Sequence, residues 1–170
     1  KVKKATEQVV LDAIQELNYI PNQVARGLKT SQTNVIGLIA EEVNTPLASN
    51  VIEGICACAE KNEYIIHLCN LRLNTKVSAP KDSNYSALEA SDTFRHSVQN
   101  SLNTLLSSRI SALLYLGTYP RDVGNILPPL ELPIIYTYAY NSHPQTYAVN
   151  YNDFQGGEMA TEYLISKGHT

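Results

Sequence analysis

Long apolar runs are missing from this chain. Nothing approaches the ~18 consecutive apolar residues that a membrane-spanning helix needs, so no membrane partner is expected. The opening Lys1-Val2-Lys3-Lys4 does not lead into the apolar core of a signal peptide. Cysteine is scarce and odd in number, with Cys56, Cys58 and Cys69 as the whole set. Cys56 and Cys58 stand two apart on an expected helix and so point to different faces. No matching His/Cys set follows them, which argues against a zinc site. Three buried or half-buried thiols in a reducing cytoplasm is the simplest expectation. Catalytic fingerprints are also missing: no Gly-x-Ser-x-Gly, no phosphate loop and no dinucleotide glycine motif. His67, His96, His143 and His169 have no acid or nucleophile partner by spacing, and His67, inside an expected strand, reads as a core residue. No metal, no cofactor and no catalysis are therefore expected. Tryptophan is absent while tyrosine occurs 11 times, so most tyrosines must serve as core or surface residues.

What is present is an ordinary globular composition, 44% hydrophobic and 17% charged, which argues against disorder. A chain of 170 residues holds one domain with a real core, or one domain plus a fragment. The net charge of −3 is unevenly spread. Residues 1–30 carry five Lys/Arg against three Asp/Glu, and the remaining 140 carry eight against thirteen. A mildly basic arm on an acidic body suits contact with nucleic acid.

Residues 5–18 read as a helix. Val9, Val10, Ala13, Ile14 and Leu17 form one apolar face, with Glu7, Asp12, Gln15 and Glu16 opposite. Pro21 then suits a first helical turn, because its missing N–H has no partner there in any case. Val24, Ala25 and Leu28 put an apolar stripe on a short helix running from about Asn22 to Thr30. Such a helix is marginal in water, and Gly27 weakens it by roughly 1 kcal/mol relative to Ala. With Arg26 and Lys29 beside the stripe, the segment suits folding on binding. An ordinary polar linker between two domains is the alternative reading.

From Val35 the pattern changes. Val35-Ile36-Gly37-Leu38-Ile39-Ala40 is a continuous apolar run of strand length, as in a parallel strand covered on both faces. A polar loop at 41–46, a helix at Ala48–Asn62 and a strand at Tyr64–Cys69 complete a βαβ unit. Residues 70–92 have few apolar anchors and read as a long exposed loop. A helix at Asp92–Ser107, a strand at Ser111–Leu116 and a short helix at Asp122–Leu127 follow. Strands at Leu132–Tyr138 and Tyr147–Tyr151 and a helix at Gln155–Lys167 end the chain. Strands and helices alternating at this spacing predict an α/β fold with a doubly wound parallel sheet.

Two stretches resemble one family. Val2, Thr6, Val10, Leu11, Ala13, Ile14, Glu16, Leu17, Asn18, Tyr19, Pro21, Asn22, Ala25, Arg26 and Leu28 stand in register with the headpiece end and hinge of the lactose-repressor (LacI/GalR) family of bacterial transcription regulators. Lys3 in place of the usual Ser and Glu7 in place of the usual Arg depart from the pattern. Asn152-Asp153-Phe154-Gln155-Gly156-Gly157, with Ala160 and Tyr163 through His169, resembles the family signature Asp-Asn-x-x-Gly-Gly…Leu-Ile-x-x-Gly-His, with its first pair inverted.

The resemblance implies a division into 1–30, the last helix of a helix-turn-helix headpiece plus a hinge helix, and 31–170, one periplasmic-binding-protein-like lobe of an effector domain. The recognition helix would precede Lys1, and a second lobe would follow Gly168-His169. It implies double-stranded operator DNA, a homodimer and a small sugar-like effector as partners. In the family the paired hinges enter the minor groove, where Leu28 matches a leucine wedge between base steps. Asn22, Ala25, Arg26 and Lys29 would lie against groove and backbone; Leu28 packed on its own body is the alternative.

For a polyol-like ligand, loops at the strand ends offer hydrogen-bonding groups and aromatic platforms. The candidates are Glu42, Asn44, Tyr119, Tyr138, Tyr140, Asp153 and Gln155. The resulting expectation is a cytoplasmic repressor of carbohydrate-utilisation genes. A solute-binding protein of a sugar transport system is the alternative, and residues 1–30 are what distinguish the two.

Overall fold

The computed structural model describes residues 3–18, 33–73 and 91–169. The chain divides into two compact units, Lys1–Thr33 and Asn34–Thr170.

In the first unit, helix α1 spans Lys4–Glu16 and starts from an extended Lys3 with no side-chain cap. None of its residues is buried, and Val9 and Leu17 are 67% and 77% exposed. The hinge positions Asn22, Ala25, Arg26, Leu28 and Lys29 lie outside the described residues.

The second unit holds strands β1 (Val35–Ala40), β2 (Ile65–Asn70), β3 (Ala112–Leu116), β4 (Ile134–Thr137) and β5 (Tyr147–Val149). Its helices are α2 (Pro46–Lys61), α3 (Asp92–Ser107) and α4 (Asp153–Ser166). All strand pairs are parallel, in the order β2-β1-β3-β4-β5. After β2 the chain returns past β1, so the exits of β1 and β3 diverge between neighbouring strands.

The two crossover helices cover opposite faces. Alternate side chains of a strand point to opposite faces. Leu38, Ala40 and Leu116 pack with Ala48, Val51, Ile52 and Ile55 of α2. Ile39, Leu113, Tyr115 and Tyr136 pack with Phe94, Val98, Leu102 and Leu105 of α3. Each helix starts on a side-chain cap: Thr45 accepts from the Ala48 N–H at 3.1 Å and Ser91 from the Phe94 N–H at 3.2 Å. Each is followed by a left-handed residue, Glu63 at φ 59° and Arg109 at φ 54°, where the chain turns back toward the sheet.

Several expectations need correction. Residues 122–127 form no helix: Asp122 bridges to Tyr140, turns follow at 124–126, and the Asp122 carboxylate accepts from the Gly124 N–H at 2.8 Å, a local bond that competes with helical pairing. Val123 and Leu127 still fill the core there, so among the described residues β3 and β4 are joined without a helix. The segment after β2 does not begin as an exposed loop, because Leu71 and Leu73 are 0% and 4% exposed in the core; residues 74–90 lie outside the described residues. Cys56 and Cys58 are exposed, and Cys69 alone is half-buried. His67 is half-buried on the edge strand β2, not a core residue. Finally, α4 buries no residue, and Phe154 and Ile165 are 81% and 65% exposed.

Candidate functional site

Because the strands are parallel, all five exits lie along one edge of the sheet, with β1 and β3 at the switch point. The residues after β1 are carboxylates. Glu41 is fully buried and Glu42 is 6% exposed. Glu42 turns back on its own loop, its Oε1 accepting from the N–H groups of Val43 at 3.1 Å and Asn44 at 3.3 Å. Asn44 itself is exposed.

Glu41 reaches sideways instead. Its Oε1 accepts from the Tyr115 hydroxyl at 2.6 Å and from Arg121 Nη2 at 2.6 Å. Its Oε2 accepts from the Thr118 N–H at 2.9 Å, the Thr118 hydroxyl at 3.0 Å and Arg121 Nη1 at 3.0 Å. Both carboxylate oxygens are thus bonded, and the forked guanidinium supplies the opposite charge. A buried carboxylate without such partners would be strongly unfavourable. Arg121 in turn lies over the ring of Tyr119, 4.9 Å from its centroid.

The β3 and β4 exits are tied through the main chain. The Tyr140 N–H donates to the Arg121 carbonyl at 2.9 Å, and the Val123 N–H donates to the Tyr140 carbonyl at 2.8 Å. The Asp122 carboxyl is held below the ordinary carboxylate range, first by a hydrogen bond from the Ser142 side chain and then by the Gly124 N–H. Tyr138 is left-handed at φ 50° and packs its ring 4.9 Å from that of Tyr151. At the β5 exit Asn152 caps α4. Its Oδ1 accepts from the Gln155 N–H at 3.1 Å, and its Nδ2 donates to Gln155 Oε1 at 3.3 Å. The Gln155 side chain is therefore held as part of a cap, while Asp153 is exposed in the first turn.

Sequence reading placed Glu42, Asn44, Tyr119, Tyr138, Tyr140, Asp153 and Gln155 on this edge and missed Glu41, Thr118, Arg121 and Tyr151. A charged residue directly after an all-apolar strand was the available signal for Glu41. Its partner lies 80 residues away and has no sequence signature. One cavity, of about 940 Å³, lies elsewhere, among Leu127, Pro129, Leu132, Ile134 and Tyr147, and includes none of the candidate residues, whereas another, of about 570 Å³, is lined by Tyr138 with Tyr151. The candidate site is the strand-exit edge, because charged and polar groups converge there on both sides of the switch point. Among the described residues no cluster of His, Cys, Asp and Glu could hold a metal ion.

No family model matches the chain. Curated relatives do match it along nearly its whole length. The HTH-type transcriptional repressor PurR of Histophilus somni (strain 2336) is 32% identical over 170 residues, 99% of this chain and 45% of the relative. PurR of Pasteurella multocida is 29% identical over the same share of each. This chain is similar to transcriptional repressors of the PurR type. It spans about half the length of these relatives, 45% in each case. The lac repressor dimer bound to operator and the anti-inducer ONPF has the same fold, with a TM-score of 0.69 at 22% identity over 99% of this chain and 46% of that one. A LacI-family regulator from Rhizobium etli gives 0.60 at 24% identity over 81% and 43%. The inverted Asn152-Asp153 pair has a structural meaning: Asn152 takes the capping position and leaves Asp153 on the surface.

Proposed function

We propose that this chain is part of a cytoplasmic, homodimeric transcriptional repressor that binds operator DNA and is controlled by a sugar-like small molecule. The genes it governs, on this reading, serve carbohydrate use. The observation that carries the reading is the 99% coverage by repressor relatives, which takes in residues 1–30 as well as the sheet. Residues 1–30 form the headpiece end and hinge, and 31–170 form one lobe of the effector domain. A solute-binding protein would have no use for the basic arm, and the relatives named above are repressors, so that alternative is set aside. Catalysis has no place in the scheme.

In this reading the hinge, too short to be stable alone, folds when two copies engage both half-sites, and Leu28 wedges between base steps. Asn22, Ala25, Arg26 and Lys29 lie against groove and backbone. The effector binds at the strand exits, against Glu42, Asn44, Tyr119, Tyr138, Tyr140, Asp153 and Gln155. It shifts the hinge equilibrium only through different affinities for the two states. The test is binding of the full-length protein to double-stranded DNA as salt is raised. A steep linear fall in log affinity against log salt is expected from phosphate contacts. Absence of DNA binding at low salt overturns the reading.

A further inference from the structure

We infer that Glu41 is the positioning residue of the candidate cleft: its buried carboxylate, not the sheet alone, holds the β3 exit loop and with it Tyr119. The inference rests on the effector-cleft reading for its purpose, but its geometry stands apart from that reading. The sheet ladder ends with the Gly117 N–H donating to the Thr137 carbonyl at 2.9 Å. From the next residue onward, the bonds to β1 run through the Glu41 side chain: Thr118 by its N–H and hydroxyl, Arg121 by both arms of its fork. Arg121 passes the constraint in two directions. Its guanidinium lies over the Tyr119 ring, and its carbonyl accepts the Tyr140 N–H that joins the β4 exit.

One carboxylate therefore orders the exits of β1, β3 and β4 together. An ion pair with one partner fully buried and the other largely so contributes little net stability against a well-packed apolar pair. What it supplies is a geometry that apolar side chains do not specify. A site ordered in this way needs no loop rearrangement on this lobe when a ligand arrives.

The test needs no ligand. Amide hydrogen exchange is measured on the full-length protein and on the double variant Glu41→Met with Arg121→Met, which removes both charges at once and leaves no orphaned ion. The expected result is exchange at least tenfold faster at 118–123 and at Tyr140. Amides of Leu38 and Leu113 in the sheet core should keep their wild-type rates. Unchanged rates in the loop, or an equal rise in loop and core, overturn the inference. If the double variant does not fold, Arg121→Lys, which keeps the charge and loses the fork, is read by the same two criteria. Because neither DNA nor effector is added, a failure of the repressor reading shows in the DNA experiment and not here.

Discussion

The carbonyl oxygen of Tyr138 occupies the space that a Cβ on Gly117 would need. The same added atom would meet Ala139 Cβ at 3.0 Å, so both contacts come from the β4 exit. Tyr138 adopts a left-handed φ of 50° at this point, which turns its ring onto Tyr151. A residue with a side chain at 117 would push the two strand exits apart. Gly117→Ala should lower stability by roughly 1–3 kcal/mol, the usual cost of overpacking a closed site. A urea unfolding midpoint within error of wild type would show that the β4 exit can yield.

The three thiols should react in two phases. Cys56 and Cys58 are exposed on α2, whereas burial pushes the Cys69 thiol up, and its S–H donates to the Ser101 carbonyl at 3.8 Å. The thiolate is the reactive form. Labelling with a thiol reagent at neutral pH should give two fast equivalents and one slow one, with the slow site assigned to Cys69 by peptide mapping. Cys69 labelled among the first two would contradict the packing of β2 against α3.

Asp122 predicts a pH dependence of one sign. Its carboxyl is held low by the Ser142 and Gly124 donors, so the folded state favours the charged form. The stabilisation is present above the unfolded carboxyl pKa of about 3.9 and is lost as pH falls through the lower folded value. Asp122→Asn should therefore cost stability at neutral pH, and its difference from wild type should shrink below pH of about 4. The side chain is close to fully exposed, so the effect should be small and read as a trend. A difference that grows on acidification would reverse the assignment.

Leu28→Ala tests the hinge in the full-length protein. If Leu28 is the wedge, operator affinity should fall on the order of tenfold or more, since the kink loses its apolar support. Thermal stability of the 34–169 unit should not change. Equal operator affinity in the two proteins would remove the wedge from the mechanism.

The regular elements were readable to different depths. β1 at Val35–Ala40 and α3 at Asp92–Ser107 have the bounds that apolar pattern and turn chemistry indicate. The 122–127 stretch misled, because its apolar Val123, Ile126 and Leu127 have helical spacing while Gly124 and the Asp122 carboxylate favour turns. Val123 and Leu127 reach the core all the same, so their burial was legible where their backbone was not. At the site, loop position alone brought seven candidate residues to one edge. Which of them are already engaged was not legible: Gln155 is part of a cap, and Glu42 accepts bonds from its own loop.

Local order in the chain determined the α/β alternation, the parallel sheet, the edge where polar loops gather and the likeness to repressors. These follow from periodicity, from turn residues and from motifs read within tens of residues. Tertiary structure alone decided that Glu41 and not its neighbour would be the buried carboxylate bonded to Arg121, and that Gly117 would lie under Tyr138. Those outcomes depend on which side chains meet across strands that the sequence separates widely, and no local pattern records a meeting of that kind.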